Sequence, residues 1–210
     1  MLKKNQIKKT LKKIAWKLSG GYKPEKFWNQ FAETLYQDPW QHGIYTSQKW
    51  LLKHIKKAKP QSILEVGCGF GRNIKFFIDH GIKPEVIIGV DISDNLLKKA
   101  KAFIGNKKVR LKHADICDLP FKDRSLDIVI THGVLMHVSS DVALEALIQM
   151  KRVSSKAILV VEQNSPADND YTFLHDYKKL FKQANLEIIE YNSDRDIGLD
   201  MIYGQIRKRS

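Results

Sequence analysis

From residue 60 onward, short apolar runs alternate with amphipathic stretches, and this alternation constrains the fold more than any other feature. The runs are SILEV, EVIIGV, VRLKH, LDIVIT and AILVVE, and helical periodicity falls at about 72–80, 93–104 and 139–151 between them. Strands that alternate with helices specify a parallel sheet with crossover helices on both faces. The tail breaks the rhythm. A helix is expected at about 171–184, followed by LEIIEY and DMIYGQIRK with only a polar turn between them, the pattern of a terminal hairpin. Ser93 suits an N-cap for the second helix, and Ser139 or Ser140 for the helix after the fourth strand.

The first strand runs into ILEVGCGFG, residues 63–71. Glycines allow a sharp turn and a close ligand approach, and open parallel sheets bind ligands beyond the carboxyl ends of their strands. Asp91 ends the next strand, 20 residues past Gly71, where a carboxylate can accept from both hydroxyls of a ribose. The loop is not a dinucleotide fingerprint, because its spacing is GxGxG and position 72 is Arg. It also has no Gly-Lys-Ser/Thr for an NTPase phosphate cradle. Glu65, two residues before the first glycine, disfavours a pyrophosphate and favours a ligand with positive charge.

The segment EVGCGFG resembles the first motif of class I S-adenosylmethionine-dependent methyltransferases, and the likeness continues in order over about residues 55–165. GVDIS resembles the second-strand segment, HADICDLPF the third and LDIVITHGVLMHV the fourth. The resemblance implies an α/β fold: a Rossmann-like, doubly wound sheet of seven strands with one antiparallel terminal strand. It implies S-adenosyl-L-methionine as cofactor. Gly67, Gly69 and Gly71 would let the backbone approach its methionine and ribose part, and Glu65 would face its ammonium group. Asp91 would hold the ribose hydroxyls, with Ile92 against the adenine. Asp115 would accept from the adenine amino group, with Ile116 beside the ring. Thr131 and His132 would line the methionine end. The implied reaction is in-line methyl transfer to an O, N, C or S atom. It needs no metal, and no convincing metal-ligand cluster is visible in the sequence.

A hydroxyl acceptor benefits from a general base. His137 in VLMHV and His175 in NDYTFLHDYKKLF are the catalytic candidates, and His42 in DPWQHG could cover the cofactor from an N-terminal lid. The fourth-strand region looks like that of methyltransferases acting on small metabolites, lipids and sugars. An Asn/Asp-Pro-Pro-Tyr/Phe motif after that strand is missing, which disfavours exocyclic base nitrogens and glutamine amides as acceptors. A small-molecule acceptor is therefore the leading reading, with an RNA or a membrane-surface lipid acceptor reached through the basic N-terminal segment as the runner-up. A non-catalytic binding module on the same fold is the alternative of a different class.

Charge singles out the N-terminal region. The formal net charge is +13, yet residues 1–59 hold 14 lysines against Glu25, Glu33 and Asp38. Residues 1–21 form a basic amphipathic pattern, with Ile7, Leu11, Ile14 and Leu18 at helical spacing among seven lysines. Packing on the domain, contact with RNA and contact with an anionic membrane are all open for this segment. Residues 22–59 are dense in aromatics, with helices expected at about 25–36 and 46–58, and read as a helical lid over the cofactor domain of 60–210. Two cysteines without CxxC spacing fit a reducing compartment. No run approaches the roughly 20 apolar residues of a membrane span. The expected location is cytoplasmic, with a peripheral membrane association open. The sequence does not specify an oligomeric state.

Overall fold

The computed structural model describes residues 22–167, 169, 171–194 and 197–206. The basic pattern of residues 1–21 lies outside the described residues. Seven strands form one sheet: β1 (Ser62–Val66), β2 (Val86–Asp91), β3 (Val109–His113), β4 (Leu126–His132), β5 (Ser154–Gln163), β6 (Glu187–Asp194) and β7 (Leu199–Gln205). Their order is β3-β2-β1-β4-β5-β7-β6, and β7 alone runs antiparallel to its neighbours. This is the Rossmann-like architecture with a terminal antiparallel strand. The chain winds from β1 out to β3 and then crosses back to β4, so β1 and β4 flank the switch point where open sheets hold ligands.

The described residues form six α-helices: α1 (Pro24–Gln37), α2 (Thr46–Ala58), α3 (Arg72–Asp79), α4 (Asp94–Ile104), α5 (Ser140–Val153) and α6 (Tyr177–Gln183). Pro24 opens α1, where its missing N–H costs nothing. Ser93 caps α4 by accepting from the Leu96 amide. The strand period of two divides the core between the sheet's faces. Leu64, Val66, Val129 and Val160 pack with Leu147, Met150 and Phe181 beneath α5 and α6. Ile63, Ile128, Ile130 and Val161 pack with Leu51, Ile55 and Phe77 from α2 and α3.

Two local expectations are corrected. The helix expected at 171–184 spans only Tyr177–Gln183. The Phe173 amide donates to Met136 O at 2.7 Å and the His175 ring bonds Leu135 O at 2.8 Å, so tertiary bonds hold residues 173–175 out of a helix. Neither serine hydroxyl caps α5: Ser139 makes no side-chain cap, and Ser140 Oγ bonds His175 Nδ1 instead.

Candidate functional site

The glycine loop leaves β1 with Gly67, Gly69 and Gly71 at φ of 68°, 55° and 85°, in the left-handed region that side chains disfavour. The three serve different ends. A Cβ on Gly67 would lie 2.3 Å from Val134 Cγ2, and one on Gly71 would lie 2.5 Å from Ile104 Cδ1. A Cβ on Gly69 would meet nothing within 4 Å. Gly67 and Gly71 are therefore demanded by packing, and Gly69 by backbone conformation alone.

Asp91, at the end of β2, ties this loop to the next one. The Gly69 amide donates to its Oδ2 at 2.8 Å and the Ser93 amide to its Oδ1 at 2.9 Å. Burial raises its pKa, and these amides pull against that shift.

Strand parity puts Glu65 of β1 and His132 of β4 on the same face, under α2 and α3. Asn73, in the first turn of α3, stands between them. Its Nδ2 donates to Glu65 Oε1 at 2.7 Å and lies 3.2 Å from His132 Nδ1, while its Oδ1 accepts from Gln48 Nε2 of α2 at 3.1 Å. Ser47 Oγ lies 3.4 Å from His132 Nε2. Because Asn73 Nδ2 can only donate, His132 Nδ1 is the acceptor and the proton sits on Nε2. Burial and the nearby Arg72 push the His132 pKa down to about 3, so the ring is neutral. Glu65 is fully buried, and desolvation lifts its pKa to about 7. Its Oε2 has no hydrogen-bond partner among the described residues. An orphaned buried carboxylate oxygen is costly, and a cationic ligand group would satisfy it.

Arg72 completes this end. Its Nη1 donates to Gln41 Oε1 at 3.1 Å and its guanidinium lies 5.5 Å from the Tyr45 ring centroid, linking the start of α3 to the segment before α2.

Above these strand ends opens a cavity of about 1010 Å³, at the upper end for a small-molecule site. One half is lined by Gly67, Asp91, Ile92, Leu96, Asp115 and Ile116. The other half is walled by the N-terminal segment, through Tyr22, Trp28, Trp40 and Tyr45, and by Met136 and His137 after β4. Helix α1 is fixed over α4 by Asn29, which accepts from Ser93 Oγ at 3.0 Å and the Asn95 amide at 3.1 Å, and by a Lys99–Glu33 ion pair.

His137 sits in the 3-10 turn Leu135–His137. Its Nδ1 lies 2.8 Å from Tyr171 O, and its ring stands edge-on to Trp28 at 4.8 Å between centroids. The carbonyl can only accept, so the proton is on Nδ1 and the lone pair on Nε2. Burial lowers its pKa, keeping the ring neutral. Glu162, at the end of β5, holds this turn by accepting from the Val134 and Met136 amides, each at 3.1 Å.

The other candidates do not share this placement. His175 has both ring nitrogens engaged, by Leu135 O at 2.8 Å and Ser140 Oγ at 3.1 Å, and stays outside the cavity lining. Thr131 is fully buried on the opposite face from His132 and also stays outside it. His42 is exposed; its Nε2 lies 2.7 Å from Tyr36 O, its ring lies 5.3 Å from that of Phe70 in the glycine loop, and it stays outside the cavity lining. Sequence reasoning missed Ser47, Gln48, Asn73 and Glu162. Apart from Glu65, eight residues before Asn73, the partners named here lie between 25 and 85 residues away, and no local pattern marks them. Among the described residues no cluster of metal-binding side chains is present.

Comparison with known proteins accords with this geometry. Residues 64–160 match the family model described as a methyltransferase domain. An uncharacterized methyltransferase of Schizosaccharomyces pombe is 40% identical over 120 residues, covering 52% of this chain and 41% of that protein. A tRNA U34 carboxymethyltransferase of Vibrio parahaemolyticus is 32% identical over 134 residues, covering 58% of this chain and 40% of that protein. The chain thus spans about two fifths of the length of each. A structure of magnesium protoporphyrin IX methyltransferase from Synechocystis, with SAH bound, superposes with a TM-score of 0.71 at 13% identity, covering 87% of this chain and 98% of that one. The glycine loop, the paired acids and the ordered strand segments thus fall in or beside the matched stretch: residues 64–160 carry a methyltransferase domain, on the Rossmann-like fold of the class I S-adenosylmethionine-dependent methyltransferases.

Proposed function

We propose that the protein methylates a hydroxyl of a small, largely apolar acceptor, with His137 as the general base. The observation that carries this reading is the His137 ring, which lines the cavity against Trp28 with its Nδ1 committed to Tyr171 O.

The residues present fit S-adenosyl-L-methionine. The unpaired Glu65 Oε2 would take the ammonium group, and Arg72 the carboxylate at the same end. Asp91 would accept from the ribose hydroxyls. Ile92 and Ile116 would flank the adenine, and Asp115 would accept from its amino group. His132 Nε2–H supplies a neutral donor beside Glu65. The bound cofactor supplies an electrophilic methyl on a sulfonium.

The acceptor would lie against Trp28 and Tyr22, where the Trp28 indole N–H is already satisfied by Tyr22 Oη at 2.8 Å. His137 Nε2 would take the proton of an acceptor hydroxyl held against Trp28, as that oxygen receives the methyl group and the cofactor leaves as a neutral thioether. The N-terminal wall excludes water from that transfer.

A labelled methyl-transfer assay over hydroxyl and amine acceptors tests the reading. His137→Ala should lower kcat for a hydroxyl acceptor by about 10²–10⁴-fold while leaving cofactor affinity unchanged. Full turnover in that variant would remove the base. Calorimetry with no cofactor bound at millimolar concentration would leave only a non-catalytic module. A second reading, an RNA acceptor, is favoured by the similarity to the Vibrio tRNA U34 carboxymethyltransferase.

A further inference from the structure

We propose that the surface around the cavity's opening docks on an anionic lipid surface, so that the acceptor is drawn from a membrane. This rests on the assignment of the aromatic half of the cavity to the acceptor.

Three apolar side chains stand in solvent near the opening: Trp40 is 65% exposed, Ile44 59% and Ile197 46%. Trp40 and Ile197 also line the cavity, so they lie where its interior meets solvent. Trp40 is held there by Tyr45, whose ring is 4.5 Å away and whose hydroxyl donates to Trp40 O. Tyr45 is the N-cap of α2. One turn along, α2 begins a basic face. Lys49, Lys53 and Lys56 recur at i, i+4 and i+7, are exposed, and pair with no acid among the described residues. Trp50, Leu51, His54 and Ile55 are buried on the other side of the helix.

Apolar side chains bordered by lysines form the pattern of an interfacial membrane contact, in which buried apolar area and attraction to anionic headgroups add. The composition disfavours RNA as the occupant. Ile44 and Ile197 offer a base neither a stacking face nor a hydrogen bond. All 14 basic residues within 1–59 are lysine, so this region lacks the planar fork with which arginine reads phosphates and guanine.

The test is flotation of the full chain with phosphatidylcholine vesicles, with and without phosphatidylglycerol, at low and high salt. Cofactor calorimetry on the same samples checks the fold and the cofactor reading separately. Binding should require phosphatidylglycerol and weaken with salt. The triple variant Lys49→Glu, Lys53→Glu, Lys56→Glu should lower partitioning at least about a hundredfold, at about 1 kcal/mol per lysine. Ile44→Ser should lower it several-fold, and both variants should keep wild-type cofactor affinity. No binding to anionic vesicles at low salt would overturn the proposal, and so would binding unchanged in both variants. A mixed-sequence RNA that binds through the lysines but is indifferent to Ile44→Ser would make the surface a nucleic-acid contact. Failure of cofactor binding in the unaltered chain would strike the proposed function and not this surface.

Discussion

At the residue scale, the three loop glycines separate packing from ligand approach. Gly67→Ala would put a methyl into Val134 and strain a positive φ. Overpacking of this kind costs about 1–3 kcal/mol, and the left-handed conformation about 1–2 kcal/mol more. Gly69→Ala should cost only the second amount, because its Cβ enters open space. Urea denaturation should therefore rank Gly67→Ala well below Gly69→Ala. Equal losses would show that the loop relaxes away from Val134. The sequence announced these glycines as a group but not their division, since Val134 and Ile104 come from segments 67 and 33 residues downstream. Glu65 and Asp91 were legible from their places at strand ends. Asn73 was not: its importance lies in joining Glu65, His132 and Gln48, which only the sheet brings together.

At the element scale, the turn after β4 depends on a neighbouring strand. Glu162 accepts from Val134 and Met136 in a fully buried position. Glu162→Ala leaves two amides without those acceptors, at about 1–3 kcal/mol for each one that stays unsatisfied. Because His137 rides on this turn, the variant should lose both stability and kcat for a hydroxyl acceptor. His175→Ala, which also loosens the turn's outer side, should lower stability with a smaller effect on kcat. If the two variants were equally impaired in turnover at equal stability, Glu162 would have no special hold on the site. Strands β1, β2, β4 and β5 were readable because buried parallel strands are nearly continuous apolar runs, and the edge strand β3 by the alternation of VRLKH. The segment 171–176 was misread as helix because the Phe173 amide and the His175 ring bond the 135–137 turn, a tertiary partner that local propensity does not register. Thr131 and His132 looked equivalent as neighbours, yet the two-residue period sends them to opposite faces.

At the scale of the whole molecule, the sheet supplies one half of the cavity and the N-terminal segment the other. Aromatic density at 22–50 signalled that wall, and the structure brings Tyr22, Trp28, Trp40 and Tyr45 to the cavity. No described helix is long and apolar enough to cross a membrane, so contact with lipid would be made by the surface at the opening. The central claim is that Glu65 awaits a cationic ligand group. Burial raises its pKa to about 7 from 4.5, so the folded protein holds a proton there that an unfolded chain releases. The Glu65 contribution to stability therefore falls as pH rises from about 4.5 to about 7. A bound ammonium group reverses the preference and favours the carboxylate, so cofactor affinity should rise over about pH 6–7 as the proton is released, below the range where an α-ammonium itself titrates, about 7.7–8.0. Calorimetric titration of S-adenosyl-L-methionine across that range, in the unaltered chain and in Glu65→Gln, tests this directly. Affinity should strengthen with pH up to about 7 in the first and be flat over the same range in the second, and at about pH 7 weaker in the second by roughly ten- to a hundredfold. Equal affinity and the same pH profile in both proteins would contradict the assignment of the cofactor's cationic end to Glu65.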